Sequence, residues 1–274
     1  MGMLPGRVNT ARVGERAYVL ATGDVQHDVT HVVDLDVRTC TNRTVKLEGA
    51  ISPLSIVTDG TRFINTEVVN STSNIRAFDK TGHMVGEQSV SGTAVTNLVM
   101  ARDDAGAPTA LYGFAIELHP EGVDTYVLLS LDPQTLDVRR RTAIPFAEGS
   151  VDSAIAYGDK LVYPLTVNAA SNTPGHDIVV LDPDTMKATR VDLGAKLPYL
   201  LRLDGNTLYV GHPFMHPAFG ALSTLRQGQG LTSRRMPSLG RPRGGHCRFR
   251  RAGRPSPSAR GRRRRRQHLR DSDV

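Results

Sequence analysis

Two stretches of this chain, fifty residues apart, carry the same phrase. Val127–Leu136 reads Val-Leu-Leu-Ser-Leu-Asp-Pro-Gln-Thr-Leu, and Ile178–Met186 reads Ile-Val-Val-Leu-Asp-Pro-Asp-Thr-Met. Each is an apolar run, then Asp-Pro-x-Thr, then a second alternating run. Aspartate suits the first position of a type I turn and proline the second, so the phrase predicts a β-hairpin. Weaker copies lie upstream: Val33–Asp36 leads to Thr44–Leu47, and Ile75–Asp79 leads to Met84-Val85. The anchoring residues Asp36, Asp79, Asp132 and Asp182 are spaced by 43, 53 and 50. A long period of this kind restricts the fold to a repeat architecture.

A second hairpin alternates with the first. Leu200–Val210 is two apolar runs around Asp204-Gly205, a strong short turn signal. Related turns centre on Gly14-Glu15, Asp59-Gly60, Asp104-Ala105 and Gly158-Asp159. The unit is therefore four short strands, A to D, repeated at the β-propeller period. The expected fold class is all-β: an incomplete β-propeller of four four-stranded blades plus part of a fifth, followed by a disordered Arg-rich tail. Blade limits fall near 7–49, 51–91, 94–145, 151–194 and 197–220, with only strands A and B expected in the fifth. No segment has the length or 3.6-residue periodicity of a long helix.

Tyr209-Val210, Tyr18-Val19 and Phe63–Thr66 resemble the Tyr-Val-Thr-Asn signature of YVTN-type propellers. The Leu-Asp-Pro-x-Thr turn is similar to that group too, which shades into the quinoprotein-dehydrogenase-like propellers. The resemblance covers about residues 10–212 and implies a propeller, often exported.

Composition changes abruptly near Gln227. Residues 228–274 hold fifteen arginines against Asp271 and Asp273, a net charge of +13; the whole chain is +7, so residues 1–227 sum to −6. The tail has one aromatic residue, Phe249, and an unbroken run from Arg262 to Arg266. Too little apolar surface is present to offset the entropy of ordering it, so 228–274 is expected to be disordered. Arg, Gly, Pro, Ser and Ala together are what a GC-rich gene yields out of frame, and the boundary falls inside a blade. We therefore expect a frameshifted or truncated C-terminus, with a genuine polyanion-binding arm and an anionic-surface anchor as the alternatives.

Met1–Thr10 lacks the apolar core of a signal peptide, and no segment is long and apolar enough to span a membrane. As written, the chain is expected to be cytoplasmic, with an exported parent as the alternative if the N-terminus is incomplete. Cys40 and Cys247 offer no metal-ligand spacing.

Histidine gives the most suggestive distribution. Residues 1–227 contain seven, and six of them (His27, His31, His119, His176, His212 and His216) fall in the inferred B-to-C connections, on one propeller face; only His83 falls elsewhere. Neutral imidazole ligates zinc and copper, so His119, His176, His212 and His216 form a candidate metal set, set against the plainer reading of exposed loop histidines. Glu117 and Glu121 flank His119, and Asp28 lies between His27 and His31, but no acid–base pair is diagnostic. The turn aspartates read as structural caps. No catalytic residue and no cofactor is assigned beyond the zinc or copper possibility.

The expected function is a non-catalytic binding module, presenting propeller loops to a protein or small-molecule ligand and forming part of a larger ring. The alternatives are a fragment of a propeller lactonase or quinoprotein-type oxidoreductase, and polyanion binding through the Arg-rich tail. The acidic body disfavours nucleic acid unless the tail is genuine.

Overall fold

A computed structural model of the 274-residue chain describes residues 10–22, 30–50, 54–119, 122, 125–146, 153–165, 167–168, 173–194, 198, 200–204, 207–211, 221–226 and 229–235. Packing divides the chain at Gly240. Residues 1–240 hold every described strand, and 241–274 lie outside the described residues.

Among the described residues five four-stranded antiparallel sheets follow one another, each a simple meander in chain order. Blade 1 is β1 (Thr10–Val13), β2 (Arg16–Thr22), β3 (Thr30–Asp36) and β4 (Thr41–Leu47). Blade 2 is β5 (Ser55–Thr58), β6 (Phe63–Val69), β7 (Thr72–Phe78) and β8 (Met84–Ser91). Blade 3 is β9 (Thr93–Arg102), β10 (Pro108–Glu117), β11 (Thr125–Leu131) and β12 (Val138–Ala143). Blade 4 is β13 (Ile155–Tyr157), β14 (Lys160–Pro164), β17 (Asp177–Leu181) and β18 (Ala188–Asp192), with a separate hairpin of β15 (Val167–Asn168) and β16 (Thr173–Pro174) between its two central strands. Blade 5 is β19 (Leu200–Asp204), β20 (Thr207–Gly211), β21 (Ala221–Arg226) and β22 (Gln229–Arg235).

The first strands touch in succession, β1 with β5, β5 with β9, β9 with β13, and β13 with β19. Each blade thus meets the next along its A strand, which is the propeller arrangement. The last strands of blades 1 to 4 are mostly exposed and polar.

Four apolar cores fill the four seams. Tyr18, Leu20 and Val32 meet Phe63 and Phe78 between blades 1 and 2. Ile64, Ile75 and Ala77 meet Leu111, Leu129 and Leu131 between blades 2 and 3. Phe114 and Leu128 meet Tyr163 and Val179 between blades 3 and 4, and Val162 and Ile178 meet Leu208 and Val210 between blades 4 and 5. The period of two along each strand sends alternate residues into opposite seams.

The fifth sheet extends beyond the expected two strands. β21 pairs with β20 and β22 with β21, so strand structure continues past residue 227. Gln-Gly-Leu-Thr-Ser-Arg-Arg has no alternating apolar face, and backbone hydrogen bonds can add an edge strand to a sheet without one, which is why hydropathy did not mark it.

Candidate functional site

The turn aspartates do the structural work expected of them. Asp132 accepts backbone N–H bonds from Gln134 and Thr135, and Asp182 from Asp184 and Thr185. Asp36 does so from Arg38 and Thr39, and Asp79 from Thr81, Gly82 and His83. The turn is wider than the type I turn expected. Leu136 N–H donates to Asp132 C=O and Met186 N–H to Asp182 C=O, closing an α-turn. Its fifth residue takes the left-handed conformation: φ is 56° at Cys40, 69° at Leu136 and 57° at Met186.

The candidate metal histidines are only partly placed. His119 is exposed after β10, with Nε2 3.7 Å from Glu117, whose carboxylate also pairs with Arg141. His176 is exposed just before β17, and its carbonyl accepts from Leu193 N–H. His212 and His216 lie outside the described residues, as do His27, Asp28 and Glu121. His31 stands within β3, paired with Ala21 and Lys46, and not in a connection. Among the described residues no three His, Cys, Asp or Glu side chains form a metal-holding group.

Charged side chains gather instead at the opposite ends of the blades, around the A–B and C–D turns. A groove of about 230 Å³ opens between blades 3 and 4, lined by Thr109 and Tyr112 of β10, Gly158 and Asp159 of the β13–β14 turn, Lys160 at the start of β14, and Pro183 and Asp184 of the β17–β18 turn, among others. Lys160 Nζ lies 2.7 Å from Asp159 and 2.9 Å from Asp182, and these two hydrogen bonds hold its pKa up. Asp182 is held well below the usual carboxylate range, first by the Thr185 N–H and then by Lys160. Tyr112 is half-buried, and desolvation followed by the Asp184 charge raises its phenol. Arg140 of β12 crosses the seam and donates to the carbonyls of Pro183 and Asp184, fixing the turn that forms one wall. An aromatic face beside two carboxylates and one ammonium suits a small polar or cationic group.

A second charged cluster occupies the seam between blades 1 and 2. Lys80 Nζ sits 4.3 Å from the Tyr18 ring centroid and 4.0 Å from that of Phe63, and donates to Thr58 Oγ1 at 3.2 Å. Burial pushes its pKa down to about 8. Beside it Asp34, 1% exposed, bonds Arg16 and Arg43, and Asp59 bonds Arg62. Arg62 reaches on to the carbonyls of Pro133 and Gln134, so blade 2 clamps the turn of blade 3 as Arg140 clamps that of blade 4. Sequence reading missed all of this, because no spacing rule reports which turns meet across a seam.

No family model and no curated protein matches the sequence. Solved structures do match. A chain from a crystal structure of a nidogen–laminin complex has a TM-score of 0.54 at 13% identity, covering 80% of this chain and 75% of that one. The β-propeller domain of the trilobed protease from Pyrococcus furiosus has a TM-score of 0.49 at 10% identity, covering 80% and 65%. An uncharacterized protein from Listeria monocytogenes has 0.44 at 11%, covering 80% and 61%. This chain therefore spans under two thirds of the latter two. At 13% identity the likeness to the first of these speaks to the fold alone, and it agrees with the five meanders joined through their first strands: the chain is an all-β protein with a β-propeller fold.

Proposed function

We propose that this propeller is a non-catalytic binding module and that the groove between blades 3 and 4 receives a small cationic group, such as a basic side chain of a partner protein. The observation supporting this is the groove itself. Tyr112 supplies a ring, Asp159 and Asp184 supply carboxylates, and Arg140 fixes the Pro183-Asp184 turn from across the seam. Lys160 is engaged by Asp159 and Asp182, which leaves Asp184 to meet an incoming cation. A volume near 230 Å³ is small for a whole metabolite and suits one anchoring side chain.

An NMR titration of the full chain with N-acetyl-arginine amide, N-acetyl-lysine amide and N-acetyl-glutamate amide tests the reading. The cationic probes are expected to shift the Tyr112 and Asp184 resonances saturably, the glutamate probe not, and Asp184→Lys to abolish the response. Equal weak shifts from all three probes, or none, would sink it.

A further inference from the structure

Five cations gather where blades 1, 2 and 3 meet: Arg16, Arg43, Arg62, Lys80 and Arg102. Three of them are matched by carboxylates. Arg16 and Arg43 share Asp34, with Asp36 3.8 Å from Arg16, and Arg62 pairs with Asp59. Lys80 and Arg102 form no ion pair with any described residue. Asp79, next to Lys80 in sequence, spends its carboxylate on the N–H groups of its own turn. One buried residue holds both unmatched cations: Thr58, at the end of β5. Lys80, from the C–D turn of blade 2, donates to its Oγ1 at 3.2 Å. Arg102, at the end of β9 in blade 3, donates to its carbonyl and to that of Gly106. The two charges therefore converge within the breadth of one residue. Both side chains are half-buried and neither is closed off. Burial is the largest influence on each, and it disfavours the charge. Carbonyls and ring faces offset part of that cost but supply no full negative charge. Arginine cannot shed its proton to escape it, so a counter-anion is what the pair lacks.

We propose that Lys80 and Arg102 form a binding site for a compact oxyanion, the phosphate or carboxylate group of a ligand, where the turns of blades 1, 2 and 3 meet. The donors suit that chemistry. Arginine offers a planar fork to two oxygens, and lysine adds a point charge beside it. Lys80 commits one N–H and Arg102 two to acceptors of the protein, so donors remain on both. Thr58 fixes the two groups together, and the Tyr18 and Phe63 rings hold the ammonium from the side, so little ordering is left for an anion to impose. The nearby carboxylates do not take the anion's place. Asp34 and Asp36 are balanced by Arg16 and Arg43, and Asp59 by Arg62, which leaves Lys80 and Arg102 as the surplus charge of the cluster. The site shares no residue with the groove between blades 3 and 4, so either reading can fail without the other.

The test is a titration of the full chain with sodium phosphate, sodium sulfate and sodium acetate, each against sodium chloride at matched ionic strength. Melting temperature is one readout, and the NMR signal of the Lys80 ε-carbon is the other. At least one oxyanion is expected to raise the melting temperature saturably where chloride does not. Phosphate and sulfate acting without acetate identify a phosphate-type ligand, and acetate acting alone identifies a carboxylate. Lys80→Met and Arg102→Gln should each weaken the response about tenfold or more. Arg139→Gln, which breaks a remote pair with Asp132, should leave it unchanged. The arm that needs no variant follows the wild-type Lys80 titration: a bound oxyanion favours the ammonium, so the effective salt should raise the midpoint. No saturation with any of the three oxyanions, a response that persists in both Lys80→Met and Arg102→Gln, or a Lys80 midpoint that stays put would each overturn the proposal.

Discussion

At the scale of single residues, two polar groups, one buried and one half-buried, stand out from their surroundings. Asn65 is 1% exposed, and neither its amide nitrogen nor its oxygen has a hydrogen-bond partner. A buried amide left unpaired costs about 1–3 kcal/mol, whereas an apolar group of the same shape costs nothing of the kind. Asn65→Leu is therefore expected to raise stability by about 1 kcal/mol, read as a higher urea midpoint at unchanged slope. Lys80 makes the second case. Its folded pKa of about 8 lies below the ordinary 10.5, so between these values the unfolded chain binds more protons than the native one. Stability should then rise with pH across that window. Comparing melting curves of wild type and Lys80→Met from pH 8 to 10.5 isolates the effect: the wild type should gain relative to the variant as pH rises, and parallel curves would refute the assignment.

At the scale of the element, the C–D turn is the informative piece. Its carboxylates are depressed by hydrogen bonds that exist only in the folded turn. A depressed acid stabilises the fold above its ordinary pKa, and that contribution fades as pH falls below it. Asp182→Asn should flatten the acid limb of the stability profile below about pH 4 and lower the melting temperature at neutral pH. Blade 2 varies the turn by placing Gly82 at φ 98°, where an added Cβ would run into the backbone carbonyl of Lys46 in β4. Gly92 has φ 64° but open space around it. Gly92→Ala should cost about 1–2 kcal/mol from backbone strain alone, and Gly82→Ala clearly more, because strand β4 must also move; chemical denaturation of the two variants checks the order.

Turn chemistry is also what made the fold legible. Asp36, Asp79, Asp132 and Asp182 act within four residues of themselves, so their roles could be read locally. The left-handed fifth residue escaped notice because Leu136 and Met186 are not residues that advertise it. In the β9–β10 turn the side chain that accepts the Ala107 N–H is Asp103, one residue before the expected Asp104-Ala105 centre. The groove and the Lys80 cluster were invisible for a different reason: both depend on contacts across a seam between residues far apart in sequence, Arg140 with the Pro183-Asp184 turn and Lys80 with the Tyr18 ring.

At the scale of the whole molecule, cohesion lies in four separate seams and not in one central core. Leu111 is fully buried between blades 2 and 3, and Leu111→Ala should cost about 2–5 kcal/mol by leaving a cavity there. Because each blade touches mainly its neighbours, the loss should appear first as faster amide exchange in β6, β7, β10 and β11, with blade 5 less affected. Uniform loss of protection across all five blades would show tighter coupling than these contacts imply.

The small hairpin of β15 and β16 lies off the main ladder. β14 and β17 pair directly from Leu161 with Leu181 to Pro164 with Ile178, and the hairpin forms its own two-stranded sheet beyond them. The ladder of blade 4 thus closes before the chain reaches it. For an engineer this marks a graft point: a foreign peptide spliced between Asn168 and Thr173 would lengthen the separate hairpin while the register of the four-stranded ladder stays closed.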